Sequence, residues 1–401
     1  MMIMKNIFGK IGFVILLVVS IAHKIDAQTP YFKSLNADIQ SIQKQLVPDK
    51  RVAILNVSLK DTLRKPIVLK GETNLPEGKK QVVQLLSAKG IQFVDSIRVL
   101  PEASLGEKTW GLATLSVVTM RYESRHAAEM ATQILMGMPV KILEEKNGWY
   151  RIQSPDQYIG WAEETGIALK TEAEMTDWKQ SKRFVYNETA GYALSAPKKN
   201  ASHVTDLVID DLFESISETK GFLQVRIPDG RTAFVKKSDC LSFQEWANRP
   251  IDIQSVISVA KQLLGVPYLW GGTSCKATDC SGLTKTSYYS QGIILARDAS
   301  QQASFGQHPD FTDFRNLLPG DLLFFGSNVK RVTHAALYMG NGLYIHSSGL
   351  VHINSLNPDD QLYNDKLHKI LVGSSRILTS LNTDGIVQVK NHPWYSIIKS
   401  N

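Results

Sequence analysis

Hydrophobic and polar positions follow a mixed pattern over the first part of the chain. Residues 36–46 carry isoleucine and leucine at helical spacing, whereas residues 51–57 form a largely apolar run typical of a strand. A second helix is predicted over residues 77–90, followed by one or two strands over residues 91–99. We expect a small α+β domain over residues 28–110, and we assign no chemistry to it.

The pattern changes from Leu112 onward to short strands separated by turn residues, and it contains an internal repeat. Residues 147–164 align without gaps to residues 220–237 at a constant offset of 73, with glycine, aromatic and Pro-Asp positions in phase. Such a repeat predicts two small β-barrels of about seventy residues each. We assign the first barrel to residues 111–171 and the second to residues 172–245.

A cysteine at the start of a predicted helix is the main chemical feature of the last segment, residues 250–401. An amphipathic helix over residues 252–264 leads into a glycine-containing loop, and a further helix follows over residues 283–292. Cys280 opens this helix, where unpaired backbone N–H groups and the helix dipole favour a thiolate. Asp279 occupies the position of an N-cap residue. We therefore predict that Cys280 is an activated nucleophile.

A nucleophile of this kind needs a base, and two histidines on neighbouring predicted strands are the candidates. The length of the loop between the strands decides whether His334 and His346 share a face of the sheet. A two-residue turn would place them on opposite faces. A three-residue loop at residues 340–342 would pair Met339 with Leu343 and make the histidines diagonal neighbours. We expect the three-residue loop, with His334 as base and His346 as the residue that orients it.

Composition and charge narrow the possible partners. Hydrophobic residues make up 43% of the chain and charged residues 21%, which is ordinary for a globular protein of several domains. The 45 basic and 38 acidic residues give a net charge of +7. This mild excess suits an anionic surface or substrate, but it is too small to indicate nucleic-acid binding, and no nucleic-acid motif accompanies it.

The cysteines and histidines do not indicate a metal site. Three cysteines, Cys240, Cys275 and Cys280, leave at least one thiol unpaired within the chain. A bridge between Cys275 and Cys280 would block the nucleophile, so we expect Cys275 to be a loop residue and Cys240 a buried thiol. The sequence contains no Cys-x-x-Cys or His-x-x-x-His pair, and we predict no metal and no other cofactor.

The first 27 residues have the pattern of an export signal. Lys5 and Lys10 give a positive start, residues 11–22 form an apolar core, and Ala27 ends a cleavage motif. The apolar run is shorter than the ~20 residues that a membrane span requires. We predict that residues 1–27 are a cleaved signal peptide and that the mature protein is soluble and periplasmic, without a stable membrane anchor. The alternative is an uncleaved anchor.

Six short motifs in the last segment occur together in a fixed order. They are the Pro267–Gly272 lead-in, Asp279–Gly282, Arg297–Gln302, Leu318–Phe324, His334–Gly340 and the later His346. This set resembles the catalytic domain of the NlpC-type cell-wall cysteine peptidases, a papain-like group. The resemblance covers residues 250–378, and the two barrels before it resemble bacterial SH3-like domains. It implies a papain-like α+β catalytic domain over residues 250–401.

The resemblance also implies roles for individual residues. Cys280 would be the nucleophile, His334 the base and His346 its orienting partner, while the Tyr268 hydroxyl would lie near the oxyanion together with the Cys280 backbone N–H. A packing role for Tyr268 is the alternative.

Substrate contacts follow from a subgroup whose members cleave after L-alanyl-D-glutamate. In that subgroup, an acidic residue and a tyrosine of the first barrel hold the free amino terminus of the substrate. The matching substrate-binding residues are Glu129, Tyr158, Trp270, Asp279, Ser281 and Ser300. Asp279 would help to bind the amine, and Ser281 and Ser300 would bind the D-glutamate. Glu129 could instead be a solvated surface charge.

We therefore expect an exported cysteine endopeptidase. Its substrate would be the γ-D-glutamyl–diaminopimelate bond of peptidoglycan-derived peptides that carry a free N-terminal L-alanine. The alternatives are an N-acetylmuramoyl-L-alanine amidase of the same fold and a non-catalytic peptidoglycan-binding protein. We expect a monomer that binds peptidoglycan peptides and no nucleic acid.

Overall fold

The computed structural model describes residues 31–60 and 66–397. The predicted signal peptide, residues 1–27, lies outside the described residues. The chain divides into two compact units, one ending at Ala103 and the other beginning at Ser104. Among the helices in the described part of the chain, none combines the length and the apolar character needed to cross a membrane.

The first unit is a three-stranded mixed sheet with two helices. Its elements are α1 (31–46), β1 (Leu55–Lys60), β2 (Ile67–Thr73), α2 (Pro76–Ala88) and β3 (Phe93–Val99). Strand β2 pairs antiparallel with β1 and parallel with β3, and α2 is the crossover between β2 and β3. Ile39 of α1 and Val82 of α2 bury their side chains against the sheet at Leu69. The unit ends before the predicted boundary at residue 110.

The second unit begins with two seven-stranded sheets that repeat each other. The first contains β4 (Trp110–Ala113), β5 (Val117–Arg121), β6 (Met130–Leu135), β7 (Pro139–Lys146), β8 (Trp149–Gln153), β9 (Ile159–Glu163) and β10 (Ile167–Lys170). The second contains β11 (Arg183–Tyr186), β12 (Ala190–Leu194), β13 (His203–Val208), β14 (Leu212–Thr219), β15 (Phe222–Arg226), β16 (Thr232–Lys236) and β17 (Cys240–Ser242). Helix α3 (Glu172–Gln180) connects them. We call the two sheets the first and the second repeat.

The structural repeat extends beyond the two stretches that align in the sequence. Strands β4 to β9 have the same bounds as β11 to β16 at the offset of 73, and the spatial orders β10-β4-β7-β8-β9-β5-β6 and β17-β11-β14-β15-β16-β12-β13 correspond strand by strand. The hairpin turns also match, with φ of 51° at both Asn147 and Lys220 and 79° at both Gly148 and Gly221. Closure of either sheet into a barrel stays a prediction.

One hydrophobic core joins both repeats to the rest of the second unit. Leu112 of the first repeat and Leu212 of the second belong to the same buried cluster as Tyr289, Trp394 and Tyr395. The hydroxyl groups of Tyr289 and Tyr395 are hydrogen-bonded to each other at 2.8 Å inside this core. Because burial of large apolar side chains is the main stabilising term in folding, this shared core holds the repeats in fixed positions on the remaining domain.

The remaining domain consists of an antiparallel sheet with a helix packed on it. Its elements are α4 (Phe243–Asn248), α5 (Ile253–Gln262), β18 (Thr273–Ser274), β19 (Ala277–Thr278), α6 (Cys280–Tyr289), β20 (Ile293–Leu295), α7 (Ala299–Gln302), β21 (Leu322–Asn328), β22 (Arg331–Gly340), β23 (Leu343–Ser348), β24 (Leu350–Ser355), α8 (Asp365–His368), β25 (Leu371–Ser375) and β26 (Ile386–Gln388). The five-stranded sheet has the order β24-β23-β22-β21-β25. Leu283 of α6 packs with Leu337 and Ile345 of the sheet, so the start of α6 lies against β22.

The first repeat contacts the β18–β19 hairpin through Gln133 and through Ser116, whose hydroxyl accepts a hydrogen bond from Lys276 at 2.9 Å. The Gln133 side-chain oxygen accepts hydrogen bonds from the Thr273 backbone N–H at 2.9 Å and the Ser274 hydroxyl at 3.0 Å. Its carbonyl oxygen accepts a third bond, from the Thr273 hydroxyl, at 2.9 Å. The second repeat has Asp206 at the equivalent position, where it forms an ion pair with Lys276. The two repeats therefore contact the same hairpin with different chemistry.

Candidate active site

Cys280 is the first residue of α6, as the sequence predicts. The Asp279 carboxylate accepts a hydrogen bond of 2.7 Å from the Gly282 backbone N–H and so caps the helix. The cysteine is 7% exposed. Backbone N–H groups of Ser281 and Ala335 point at the sulfur, and Ala335 directly follows His334 on β22. The sulfur therefore lies where α6 meets the strand that carries the predicted base.

The structure does not support the predicted thiolate in the resting protein. Burial, followed by the negative charge of Asp279, raises the pKa of the Cys280 thiol to about 11 against the opposing effect of the Ala335 and Ser281 N–H groups. Burial lowers the pKa of His334 to about 4. Removal of both groups from water outweighs the helix N-terminus and favours the neutral thiol and the neutral imidazole.

The hairpin that carries the histidines differs from the prediction in its turn. Gly340, rather than Met339, pairs with Leu343, and the turn contains two residues, Asn341 with φ of 54° and Gly342 with φ of 82°. A bulge on β22 inserts the extra residue ahead of the turn, with Gly340 at φ of 100°. The bulge shifts the register by one residue, as the predicted three-residue loop would have done. The histidines therefore share one face.

A hydrogen bond of 2.8 Å joins His334 Nε2 to His346 Nδ1. The two rings are nearly perpendicular, with centroids 5.0 Å apart. His346 is completely buried, and burial lowers its pKa to about 3. Its Nε2 lies 2.9 Å from Asn354 Oδ1 on the neighbouring strand β24. Nδ1 is thus the nitrogen of His334 that remains for the sulfur.

Sequence reasoning missed Asn354. Its position can be read from the strand pattern, because β23 and β24 pair with His346 opposite His352 and Tyr344 opposite Asn354. Asn354 is therefore a diagonal neighbour of His346 on the same face. The ring of His352 also packs on His346, with centroids 4.2 Å apart.

Tyr268 and Trp270 lie in the loop before the nucleophile. Burial, followed by electrostatic interaction with Cys280 and Asp279, raises the pKa of the Tyr268 hydroxyl to about 12, so the phenol lies near both residues. The Tyr268 backbone N–H donates to the Gly349 carbonyl oxygen at 2.9 Å. Trp270 is 58% exposed, which leaves its ring available to a ligand.

A buried arginine holds the two side chains that flank the nucleophile. Arg297 is 1% exposed and forms an ion pair with Asp279 as well as a 3.0 Å hydrogen bond to the Ser281 hydroxyl. Asp279 also accepts a 2.9 Å hydrogen bond from the Gly271 backbone N–H. Both predicted substrate-binding side chains, Asp279 and Ser281, are therefore engaged in bonds within the protein. Ser300 lies half-buried in α7, next to the same segment.

The first repeat contacts the segment just before α7 through Tyr158. This tyrosine is completely buried, and its hydroxyl donates to Asp298 Oδ2 at 3.0 Å and is hydrogen-bonded to the Tyr122 hydroxyl at 2.8 Å. Burial, together with the charge of Asp298, raises the Tyr158 pKa above its usual value. The Glu129 side chain is exposed, its carbonyl oxygen accepts from the Tyr122 N–H at 3.1 Å, and its charge contributes to a raised pKa of Tyr122.

Neither of the other two cysteines forms a disulfide bond with Cys280. All three cysteines are free thiols, which excludes a bridge between Cys275 and Cys280. Cys275 donates to the Thr189 carbonyl oxygen at 2.9 Å, and Cys240, predicted to be buried, is half-buried and donates to the Lys236 carbonyl oxygen at 3.5 Å.

Comparison with known proteins identifies several relatives. The chain is 30% identical over 254 residues to dipeptidyl-peptidase 6 of Lysinibacillus sphaericus, a match that covers 60% of this chain and 89% of the relative. It is 28% identical over 267 residues to a γ-D-glutamyl-L-lysine dipeptidyl-peptidase of Bacillus cereus, covering 63% and 78%. The crystal structure of an NlpC/P60 family protein from Bacillus cereus shares the fold, with a TM-score of 0.58 and 24% identity over 67% of this chain and 99% of that one.

A thiol, an imidazole that can take its proton and a second histidine that orients this imidazole define a cysteine peptidase. Family models agree with that class: the NlpC/P60 family matches residues 265–372, and the bacterial dipeptidyl-peptidase SH3 domain matches residues 120–167. The chain belongs to the NlpC/P60 family, which confirms the resemblance seen in its motifs.

Proposed function

We propose that this peptidase hydrolyses the γ-D-glutamyl–L-diamino acid bond of peptidoglycan-derived peptides whose N-terminal L-alanine is free. The observation that carries the proposal is the hydrogen bond from Tyr158 to Asp298. Asp298 follows Arg297, which forms the ion pair with Asp279 at the start of α6, so this bond brings the first repeat close to the nucleophile. The names of the two dipeptidyl-peptidase relatives support it, because both describe release of a dipeptide. Diaminopimelate is the diamino acid that we predict at the third position.

Catalysis in this proposal is acyl transfer by a neutral pair. As the Cys280 sulfur attacks the substrate carbonyl, the thiol proton moves to His334 Nδ1 and a C–S bond forms. The oxyanion accepts hydrogen bonds from the Cys280 backbone N–H and the Tyr268 hydroxyl. The imidazolium of His334 then donates its proton to the leaving amine, the C–N bond breaks, and water hydrolyses the thioester with His334 again as base.

Recognition of the free amine is assigned to the first repeat. An ammonium group needs carboxylate and hydroxyl acceptors, and the exposed Glu129 carboxylate and Tyr122 hydroxyl supply them. The buried Tyr158 hydroxyl holds Tyr122 and Asp298 in position through its two hydrogen bonds. The second repeat has Arg231 in place of Tyr158, paired with Asp229, so the role belongs to the first repeat alone. The side chains of Asp279 and Ser281 are already bonded to Arg297. They therefore contribute to substrate binding through their backbone groups and by fixing the shape of the site.

The test compares two peptides, L-Ala-γ-D-Glu-diaminopimelate with a free amine and the same peptide N-acetylated. The enzyme is the purified protein comprising residues 28–401, and mass spectrometry identifies the peptides that it releases. Cys280→Ala is the inactive control. We expect release of L-Ala-D-Glu from the free peptide only. Equal cleavage of both peptides would remove Glu129 and Tyr158 from amine recognition. Cleavage of neither, together with release of L-alanine-linked peptide from an N-acetylmuramoyl substrate, would identify an amidase.

We also propose that the protein acts outside the cytoplasm, in the periplasm, after export by residues 1–27. Family membership supports the proposal, and so does the substrate, since peptidoglycan is assembled outside the cytoplasmic membrane. Cell fractionation with an antibody against residues 104–401 tests it. Recovery in the cytoplasmic fraction at full length would contradict it.

A further inference from the structure

The Asn354 side chain is hydrogen-bonded at both ends. Its nitrogen Nδ2 donates to the Leu362 carbonyl oxygen at 3.0 Å, and its oxygen Oδ1 lies 2.9 Å from His346 Nε2. The Leu362 carbonyl is itself fixed, because it also accepts the Ser355 backbone N–H at 2.9 Å. A carbonyl oxygen can only accept, so the donor end of the amide must face Leu362. The acceptor end is therefore directed at His346.

This orientation determines where the protons lie on both histidines. His346 must carry its hydrogen on Nε2 to donate to Asn354, and a neutral imidazole then has a bare Nδ1. That bare nitrogen accepts the hydrogen of His334 Nε2, which is 2.8 Å away. The proton-free nitrogen of His334 is thus Nδ1, the nitrogen that is not bonded to His346. With the amide reversed, every hydrogen would shift by one nitrogen, and the base would present an N–H to the thiol.

We propose that Asn354 is a positioning residue that fixes the tautomers of His346 and His334, so that His334 presents a lone pair to the Cys280 thiol. The control runs through hydrogen bonds from the Leu362 carbonyl through Asn354 and His346 to His334, a feature that the sequence motifs do not include. It rests on the peptidase activity and not on the identity of the substrate.

Removal of the amide tests the proposal through kinetics. Asn354→Ala should lower kcat about ten- to hundredfold with KM changed less than about twofold, because the base is mispositioned while binding is intact. Asn357→Ala is the matched control, since Asn357 caps a nearby turn by accepting the Asp359 N–H at 3.1 Å. A kcat of Asn354→Ala equal to that of Asn357→Ala, with equal melting temperatures, would overturn the proposal.

The carboxylate variant separates positioning from structural support. Asn354→Asp keeps an acceptor for His346 Nε2 but loses the donor to the Leu362 carbonyl oxygen, so it should recover part of the activity that alanine loses. Its negative charge stabilises the protonated histidines, so the acid limb of kcat/KM should move to higher pH by about one unit. The titratable groups that face the histidine pair are Cys280, Asp279, Tyr344 and His352, and they are unchanged by the substitution. An aspartate variant as impaired as alanine, with an unshifted limb, would contradict the proposal.

Nitrogen-15 chemical shifts of the imidazoles provide a test that needs no substrate. In the unmodified protein near pH 7, His334 and His346 should both show a protonated Nε2 and a bare Nδ1, assigned with His334→Gln and His346→Gln. Asn354→Ala should give mixed tautomers at both residues. The proposal fails if the parent protein shows Nδ1–H at His334, whatever peptide the enzyme cleaves, so this result is independent of the proposed substrate.

Discussion

Thr132 accepts a hydrogen bond of 2.8 Å from Arg297, a residue 165 positions later in the chain. The same guanidinium forms an ion pair with Asp279, the N-cap of the nucleophile helix. A single buried cation therefore connects the first repeat to the residue before Cys280. This connection gives the repeat a physical route to the geometry of the nucleophile.

Arg297→Met should lower the free energy of unfolding by about 3–5 kcal/mol, because it leaves the Asp279 carboxylate buried without its cation. Urea unfolding followed by tryptophan fluorescence measures the change. Arg315→Met is the control, since the Arg315 side chain is 80% exposed and its ion pair with Asp313 is screened by water and should contribute little to stability. Equal losses in the two variants would show that Arg297 does not hold the helix start.

Tyr158→Phe should raise KM for the free-amine peptide about tenfold and leave kcat nearly unchanged, because it removes the hydroxyl that positions Tyr122 and Asp298 at the proposed amine site without touching Cys280. Steady-state kinetics of dipeptide release measures both constants. Arg231→Ala, at the equivalent position of the second repeat, should change neither constant. A fall in kcat with unchanged KM would assign Tyr158 a structural role instead.

The parts of the site that were predicted are those encoded locally. Asp279 and Cys280 are neighbours in sequence, and an N-cap with a residue in the first turn forms wherever the helix begins. The shared face of His334 and His346 was predicted because strand alternation decides it. The predicted three-residue turn was wrong, because the hairpin has a two-residue turn preceded by a bulge on β22. Both arrangements shift the strand register by one residue, so the predicted shared face was still correct.

Asp298, the partner of the predicted residue Tyr158, was missed because the contact joins distant segments. Tyr158 and Asp298 are 140 positions apart, and no spacing in the sequence relates them. The effect of burial on the Cys280 pKa was missed for the same reason, because burial is a property of the folded chain rather than of the helix that carries the thiol. The repeat was seen only over residues 147–164 and 220–237, since strands such as β6 and β13 keep their positions without keeping their side chains.

The two equivalent hairpin turns allow a matched stability test. Lys220 adopts φ of 51° with no special suitability for it, whereas Asn147 at the same φ belongs to a residue type that tolerates this conformation. Lys220→Asn should raise the free energy of unfolding by about 0.5–1 kcal/mol, and Asn147→Lys should lower it by a similar amount. Denaturant unfolding measures both. Changes of the same sign would refute the argument from backbone conformation.

The ionisation state of Cys280 decides between the helix-dipole expectation and the buried site. With a thiol pKa of about 11 and a His334 pKa of about 4, the alkylation rate of Cys280 by iodoacetamide should rise about tenfold per pH unit across the neutral and mildly alkaline range. Mass spectrometry of the Cys280 peptide measures the rate, with Cys240 and Cys275 in the same digest as references. A rate that stays constant down to about pH 5 would reveal a thiolate–imidazolium pair. In that case the thiolate that the sequence predicts would be present before substrate binds, and the general-base step at His334 would be unnecessary.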